Sequence, residues 1–163
     1  MMNRMKILGV TTLLVIMFSA CNKTGTWQKQ ERQQIDTYVK ALGDTTYVLK
    51  PSGLYYIELQ AGTGRTPIVK DTVRFRYTGM FLDRVVFDQN TTAATTYSAV
   101  IGNYEIISGL DEGMRYMKEG GKARFLTPSS LAYGPEGIWV TIPGYTPLIW
   151  EITLVKVSPG PAK

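Results

Sequence analysis

The sequence predicts an α+β domain, an antiparallel β-sheet curled around a short α-helix and preceded by an N-terminal helix. Three observations carry this. Thr72–Thr78 and Leu148–Val157 alternate apolar and polar residues with the period of a half-buried strand. Glu105–Met117 sets Ile106, Leu110, Met114 and Met117 on one side at helical spacing. Clusters of Pro, Gly, Ser and Asn break the rest into short pieces, as a small twisted sheet requires.

Taken in order, residues 1–20 read as an address rather than as fold. Arg4 and Lys6 supply a basic start, and Ile7–Ala20 is an apolar run too short for a spanning helix. Phe18-Ser19-Ala20-Cys21 resembles a bacterial lipobox, with Phe18 where Leu is usual. That resemblance implies cleavage before Cys21, diacylglycerol on its thiol and N-acylation. The expected location is the cell envelope, with the protein lipid-anchored to a bacterial membrane, the outer membrane facing the periplasm. Residues 21–45 then form an anchored tether and helix. Asn22–Thr26 is polar and reads as flexible tether, and Trp27–Leu42 as helix, with Ile35, Tyr38, Val39 and Leu42 on one face and Gly43 as its stop.

The domain itself is expected over residues 46–158, with 159–163 as a tail. Val48-Leu49 and Leu54–Leu59 are short strands joined through Pro51-Ser52-Gly53. Met80–Phe87 reads as a strand bent at Leu82-Asp83-Arg84, and Tyr97–Ile101 as another. The helical segment ends at Glu119-Gly120-Gly121-Lys122, Ala123–Leu126 is a strand, and Pro128–Pro147 is a long loop. Leu148, Trp150, Ile152 and Leu154 share one face of the closing strand.

Composition limits the chemistry. The 163 residues contain no histidine and one cysteine. Neither a Ser-His-Asp nor a Cys-His arrangement is available, nor an imidazole metal site, an internal disulfide or a zinc finger. Neither a metal nor a cofactor is expected. The formal charge of +5 falls to about +3 without Arg4 and Lys6, and no dense basic run remains. Arg74 and Arg76 alternate with Val73, Phe75 and Tyr77, which marks the solvated face of a strand, so nucleic acid is not an expected partner. Hydrophobic content of 44% suffices for a packed core.

The order of several motifs says more than any one of them. Val73–Gly79 is followed by Val86-Phe87-Asp88, Ile101-Gly102 and Glu105–Met114. Then come Gly120-Gly121-Lys122-Ala123, Leu131-Ala132-Tyr133-Gly134, Ile142-Pro143 and Leu148–Ile152. From Thr46 to Val157 the chain closely resembles the FKBP-type peptidyl-prolyl cis/trans isomerases. The resemblance implies a five- or six-stranded sheet around a short helix, with an apolar hollow between them. It implies catalysed rotation of Xaa-Pro peptide bonds in exported proteins, assisting their folding. Proline-containing polypeptides are the implied partners, with macrolides such as rapamycin as possible ligands and the membrane reached through Cys21.

Carried over position by position, the resemblance makes Tyr77, Phe87, Tyr97, Ile106, Ile107, Leu110, Ala132, Tyr133, Ile142 and Trp150 the substrate-binding residues. Asp88, Tyr133, Ile107 and Tyr77 would act on the bond itself. Asp88 is the polar group in the wall, the Ile107 N–H faces a substrate carbonyl, and the Tyr133 hydroxyl faces a neighbouring one. Gly109 and Gly113 read as structural glycines. Two departures stand out. Leu110 occupies the floor where the family usually has Trp, and Trp150 stands for a family Phe. Arg84 stands where the family prefers Gly after Asp83. An alternative is a peptide-binding module or chaperone of the same fold with little isomerase activity, and a structural lipoprotein that uses its N-terminal helix as a contact is a third.

Overall fold

The computed structural model describes residues 21–43, 47–92 and 95–160. Residues 1–20, read above as a signal segment ending in a lipobox-like stretch, and the last residues of the tail lie outside the described residues. Helix α1 spans Cys21–Ala41. Strands follow as β1 (Val48–Leu49), β2 (Tyr55–Gln60), β3 (Thr72–Met80), β4 (Val86–Asn90) and β5 (Tyr97–Val100). Helix α2 spans Ser108–Met114, then come β6 (Lys122–Thr127), a 3-10 turn at Ser129–Leu131 and β7 (Leu148–Ser158).

The strands make one seven-stranded antiparallel sheet in the order β1-β2-β6-β7-β3-β4, with β5 also on β3. This exceeds the five or six strands expected. The outer edge of β3 is shared: its first half pairs with β5 and its second half with β4, while β1 adds a two-residue pairing on β2. The long β3–β7 ladder, from Thr72↔Ser158 to Met80↔Ile149, is the spine.

Alternation on that spine separates two apolar clusters. Val73, Phe75, Trp150, Ile152 and Leu154 point to the concave side and meet Leu110 and Met114 of α2. Helix α2 sits close to the sheet because Gly113 has no side chain; a Cβ there would lie 2.5 Å from the Phe125 ring. On the opposite face, Leu126 and Ile149 meet Ile35 of α1, with Tyr38, Val39 and Leu82 around them. Burying one such aliphatic side chain is worth roughly 1.5–3 kcal/mol, enough to hold a helix that is otherwise polar.

Three expectations need correction. Asn22–Thr26 belongs to α1 rather than to a flexible tether. Gly25 costs a helix about 1 kcal/mol, but without proline it does not stop one that is already packed downstream. Met80–Phe87 is not one bent strand. The chain turns between β3 and β4, with the Arg84 N–H donating to the Phe81 carbonyl at 2.9 Å and the Val85 N–H to Asp83 Oδ1 at 3.0 Å. Arg84 sits there at φ 69°, the strained conformation that glycine would relieve. Helix α2 begins at Ser108, not at Glu105. The Glu105 carboxylate instead accepts the Val100 N–H at 2.9 Å and the Asn103 amide at 2.6 Å, which fixes a turn ahead of the helix.

Candidate active site

The concave face opens between α2 and the β3–β4 edge into a hollow of about 450 Å³. Strand β3 contributes Tyr77, β4 Asp88, β5 Tyr97 and β7 Trp150. The turn before α2 contributes Ile106, and Ile107 is its N-cap residue, so the helix itself does not use the Ile107 N–H. Leu110 of α2 and Trp150 close the depth of the hollow at 5% and 2% exposure. Tyr133 reaches in from the segment after the 3-10 turn.

The aromatic wall is a connected set. The Tyr77 ring lies 6.0 Å from Trp150 and 6.2 Å from Tyr97, the latter edge-on at 82°. The Trp150 indole N–H donates to Thr127 Oγ1 at 3.2 Å, and that hydroxyl donates to the Leu148 carbonyl at 3.1 Å, so the indole is held in plane by the strand beside it.

Two polar groups face this apolar wall. The Tyr77 hydroxyl donates to Asp88 Oδ2 at 2.9 Å. Burial first, and then that hydrogen bond and the charge of Asp88, push the Tyr77 hydroxyl up to about 12, so it remains a donor throughout the neutral range. Burial likewise raises Tyr133, reinforced by Asp88 and Tyr97. The Tyr133 hydroxyl makes no hydrogen bond among the described residues, which leaves it free to donate to a ligand.

Eight of the sequence-derived positions therefore converge: Tyr77, Asp88, Tyr97, Ile106, Ile107, Leu110, Tyr133 and Trp150. Phe87, Ala132 and Ile142 do not line the hollow. Phe87 stands behind it, edge-on to Trp150 at 5.4 Å and 90°. Ala132 is half-buried against the core, and Ile142 is 2% exposed within it. Tyr104 and Glu105 line the rim and were not singled out from the sequence. Gly102-Asn103, a turn pair before the helical spacing, was the available signal for a loop there. Among the described residues, no group of three or more His, Cys, Asp and Glu is arranged to hold a metal ion. The site offers an apolar hollow, a carboxylate–phenol pair and a free phenol. This equipment suits the binding of an apolar, amide-bearing ligand and the turning of a bond within it.

Comparison with known proteins gives a consistent result. The family model described as FKBP-type peptidyl-prolyl cis-trans isomerase matches residues 63–155. An FK506-binding protein of Neisseria meningitidis serogroup B is 34% identical over 105 residues, covering 64% of this chain and 96% of that protein. FkpA of Escherichia coli K12, an FKBP-type peptidyl-prolyl cis-trans isomerase, is 34% identical over 110 residues, which span 68% of this chain but only 40% of that protein. Among solved structures, a peptidyl-prolyl cis-trans isomerase from Pseudomonas syringae pv. tomato aligns with a TM-score of 0.71 at 32% identity, covering 83% of this chain and 96% of that one. The E. coli FkpA structure aligns with a TM-score of 0.73 at 27% identity, covering 96% of this chain and 72% of that one.

Proposed function

The chain belongs to the FKBP-type peptidyl-prolyl cis-trans isomerase family, and we propose that its hollow turns Xaa-Pro peptide bonds of exported polypeptides in the bacterial cell envelope. The observation that carries this is the aromatic hollow over Leu110 and Trp150, with Asp88–Tyr77 and the free Tyr133 hydroxyl at its wall.

Rotation about an amide costs ~18–20 kcal/mol because resonance must be broken. Xaa-Pro bonds populate both isomers but exchange over tens to hundreds of seconds. In the twisted amide the carbonyl is less polar and the nitrogen is pyramidal. Water favours the planar, more polar form, so moving the bond into the hollow between Tyr77, Tyr97 and Trp150 favours the twisted one. The Ile107 N–H and the Tyr133 hydroxyl fix the flanking carbonyls, and Asp88, held by Tyr77, sets the polarity of the wall beside the proline ring.

The double variant Asp88→Val/Tyr133→Phe tests this. Asp88 is exposed and Tyr133 half-buried, so the fold survives both changes. Each lost polar interaction is worth about 1 kcal/mol, so catalysed cis/trans exchange of a proline peptide falls by about tenfold or more with near-UV circular dichroism unchanged. Full activity in that variant, or background exchange rates from the intact folded protein, defeats the proposal. Leu110 favours a second reading, a peptide- or macrolide-binding module with little catalysis, because it widens the floor. Tight binding of rapamycin followed by Trp fluorescence, without catalysis, selects it.

Anchoring through lipid on Cys21 is part of the same proposal, supported by the apolar run before a single, suitably placed cysteine. No described helix is long and apolar enough to cross a membrane. Expressed from the full sequence in a bacterium, the protein is expected in the membrane fraction with acyl mass on its N-terminal cysteine. Cys21→Ala is expected to leave the domain folded and to abolish both the acyl mass and the cleavage before residue 21, so that the uncleaved leader is retained; an unsubstituted protein that carries no acyl mass on Cys21 contradicts the anchor.

A further inference from the structure

Helix α1 lies outside the 63–155 stretch that the family model matches, yet one of its side chains reaches the turn that leads into Tyr133 of the candidate site. Glu31 is only 7% exposed, although its neighbours on either side are exposed. A carboxylate that deep must have its oxygens satisfied. Both go to a single residue: Oε1 accepts the Ser129 N–H, and Oε2 accepts the Ser129 hydroxyl at 2.8 Å. Ser129 is itself 5% exposed and starts the 3-10 turn.

The Ser129 carbonyl organises the turn of chain that carries Tyr133. It accepts the Ala132 N–H at 2.9 Å and the Gly134 N–H at 2.8 Å, one on each side of Tyr133. Glu31 thus holds the amide and hydroxyl of the residue whose carbonyl holds the backbone around Tyr133. Docking of the helix does not by itself require this. Ile35, one turn further on the same face, already supplies an apolar contact with Leu126 and Ile149. Burying a charge beside it adds a desolvation cost, and what that cost secures is position rather than cohesion.

We infer that Glu31 is a positioning residue for the isomerase site: the N-terminal helix fixes the Tyr133 turn through the Glu31–Ser129 clamp and so sets the rate at the hollow. This rests on the proposed role of Tyr133. The clamp makes the helix a working part of the enzyme rather than a spacer.

The test uses the full chain and compares Glu31→Ala, Glu31→Gln and Ile35→Val, at a temperature where each is folded by near-UV circular dichroism. Glu31→Ala is expected to lower kcat/KM for a proline peptide by about tenfold, since small misplacements of a site group are expensive. Amide protection at residues 132–134 falls with it. Glu31→Gln keeps an acceptor for the Ser129 N–H and a donor for its hydroxyl, so it restores most of the rate. Ile35→Val lowers stability without lowering kcat/KM. In a Tyr133→Ala background, Glu31→Ala has no further effect on rate.

A kcat/KM for Glu31→Ala within about twofold of the unsubstituted protein, with protection at 132–134 unchanged, overturns the inference. So does an undiminished effect of Glu31→Ala in the Tyr133→Ala background. Should Glu31→Ala fail to fold, Ser129→Ala removes only the hydroxyl contact and is expected to give a partial loss of both rate and protection; no loss overturns the inference. If the unsubstituted protein shows no catalysis, the proposed function fails and the exchange data alone decide. Unchanged protection then overturns the clamp, and lost protection keeps it as the organiser of the hollow.

Discussion

Trp150→Ala is expected to reduce kcat/KM for proline peptides by about a hundredfold and to cost about 3–5 kcal/mol of stability. Trp150 is 2% exposed and touches both halves of the site. Its ring meets Tyr77 at 6.0 Å inside the hollow and Phe87 at 5.4 Å behind it. The sheet is shaped to receive it. Gly79 is its cross-strand partner, and a Cβ there would come within 2.8 Å of the indole and 2.7 Å of the Phe87 ring. Removing the indole leaves a void that the rigid β3–β7 ladder cannot close, and Tyr77 loses the surface that orients it toward Asp88. Trp150→Phe separates the two effects. It keeps an aromatic ring in the core, leaves a smaller void than alanine does, and gives up the bond to Thr127, whose hydroxyl still donates to the Leu148 carbonyl. That variant is expected to retain most of the rate. Urea melts and exchange assays on the two variants check this, and an active Trp150→Ala protein would show that the indole is not the working floor.

The parts of this fold written in local periodicity were legible in the sequence. Val73 and Phe75 face in while Arg74 faces out, and β7 repeats the pattern from Leu148 to Leu154, so both spine strands emerge from alternation alone. What local pattern could not reveal is captured by single side chains acting on the backbone. Asp83 turns the chain between two apolar stretches that read as one strand. Glu105 and Asn103 hold a turn where helical spacing had already begun. The site is less legible still, because Tyr77 and Asp88 meet only after β4 folds back on β3 and Trp150 arrives from the other end of the domain. Ordered motifs pointed to those residues, but they could not distinguish Leu110, in the lining, from Ile142, in the core behind it. Glu31 was unreadable in principle. It looks like one more polar residue on a polar helix, and the partner that buries it stands 98 residues further along the chain.

Asp71→Asn is expected to cost about 3 kcal/mol at neutral pH and to flatten the acid limb of the stability curve. The carboxylate is buried and ties three segments together. Its Oδ2 accepts Arg65 at 2.6 Å and the Ile68 N–H at 3.0 Å, while Oδ1 accepts the Gly160 N–H at 3.2 Å. Burial alone would raise its pKa, but the Ile68 and Gly160 N–H groups and the Arg65 charge together outweigh burial, so the folded value lies below the ordinary one. Below the unfolded value of about 4, the unfolded chain takes up a proton on this group before the folded chain does. The contribution of Asp71 is therefore complete above about pH 4 and disappears as pH falls through the depressed folded value. Asparagine cannot substitute, because its amide nitrogen would confront either the Arg65 and Ile68 donors or the Gly160 N–H. Glu105 and Glu119 also have lowered pKa values, each set first by a backbone N–H, so the unsubstituted protein keeps some acid sensitivity from them. The difference between the two proteins isolates Asp71. Urea midpoints measured from pH 7 down to about pH 2.5 should converge as the pH falls. Parallel curves would mean that the Arg65–Asp71 contact at the base of β3 contributes no pH-dependent stability.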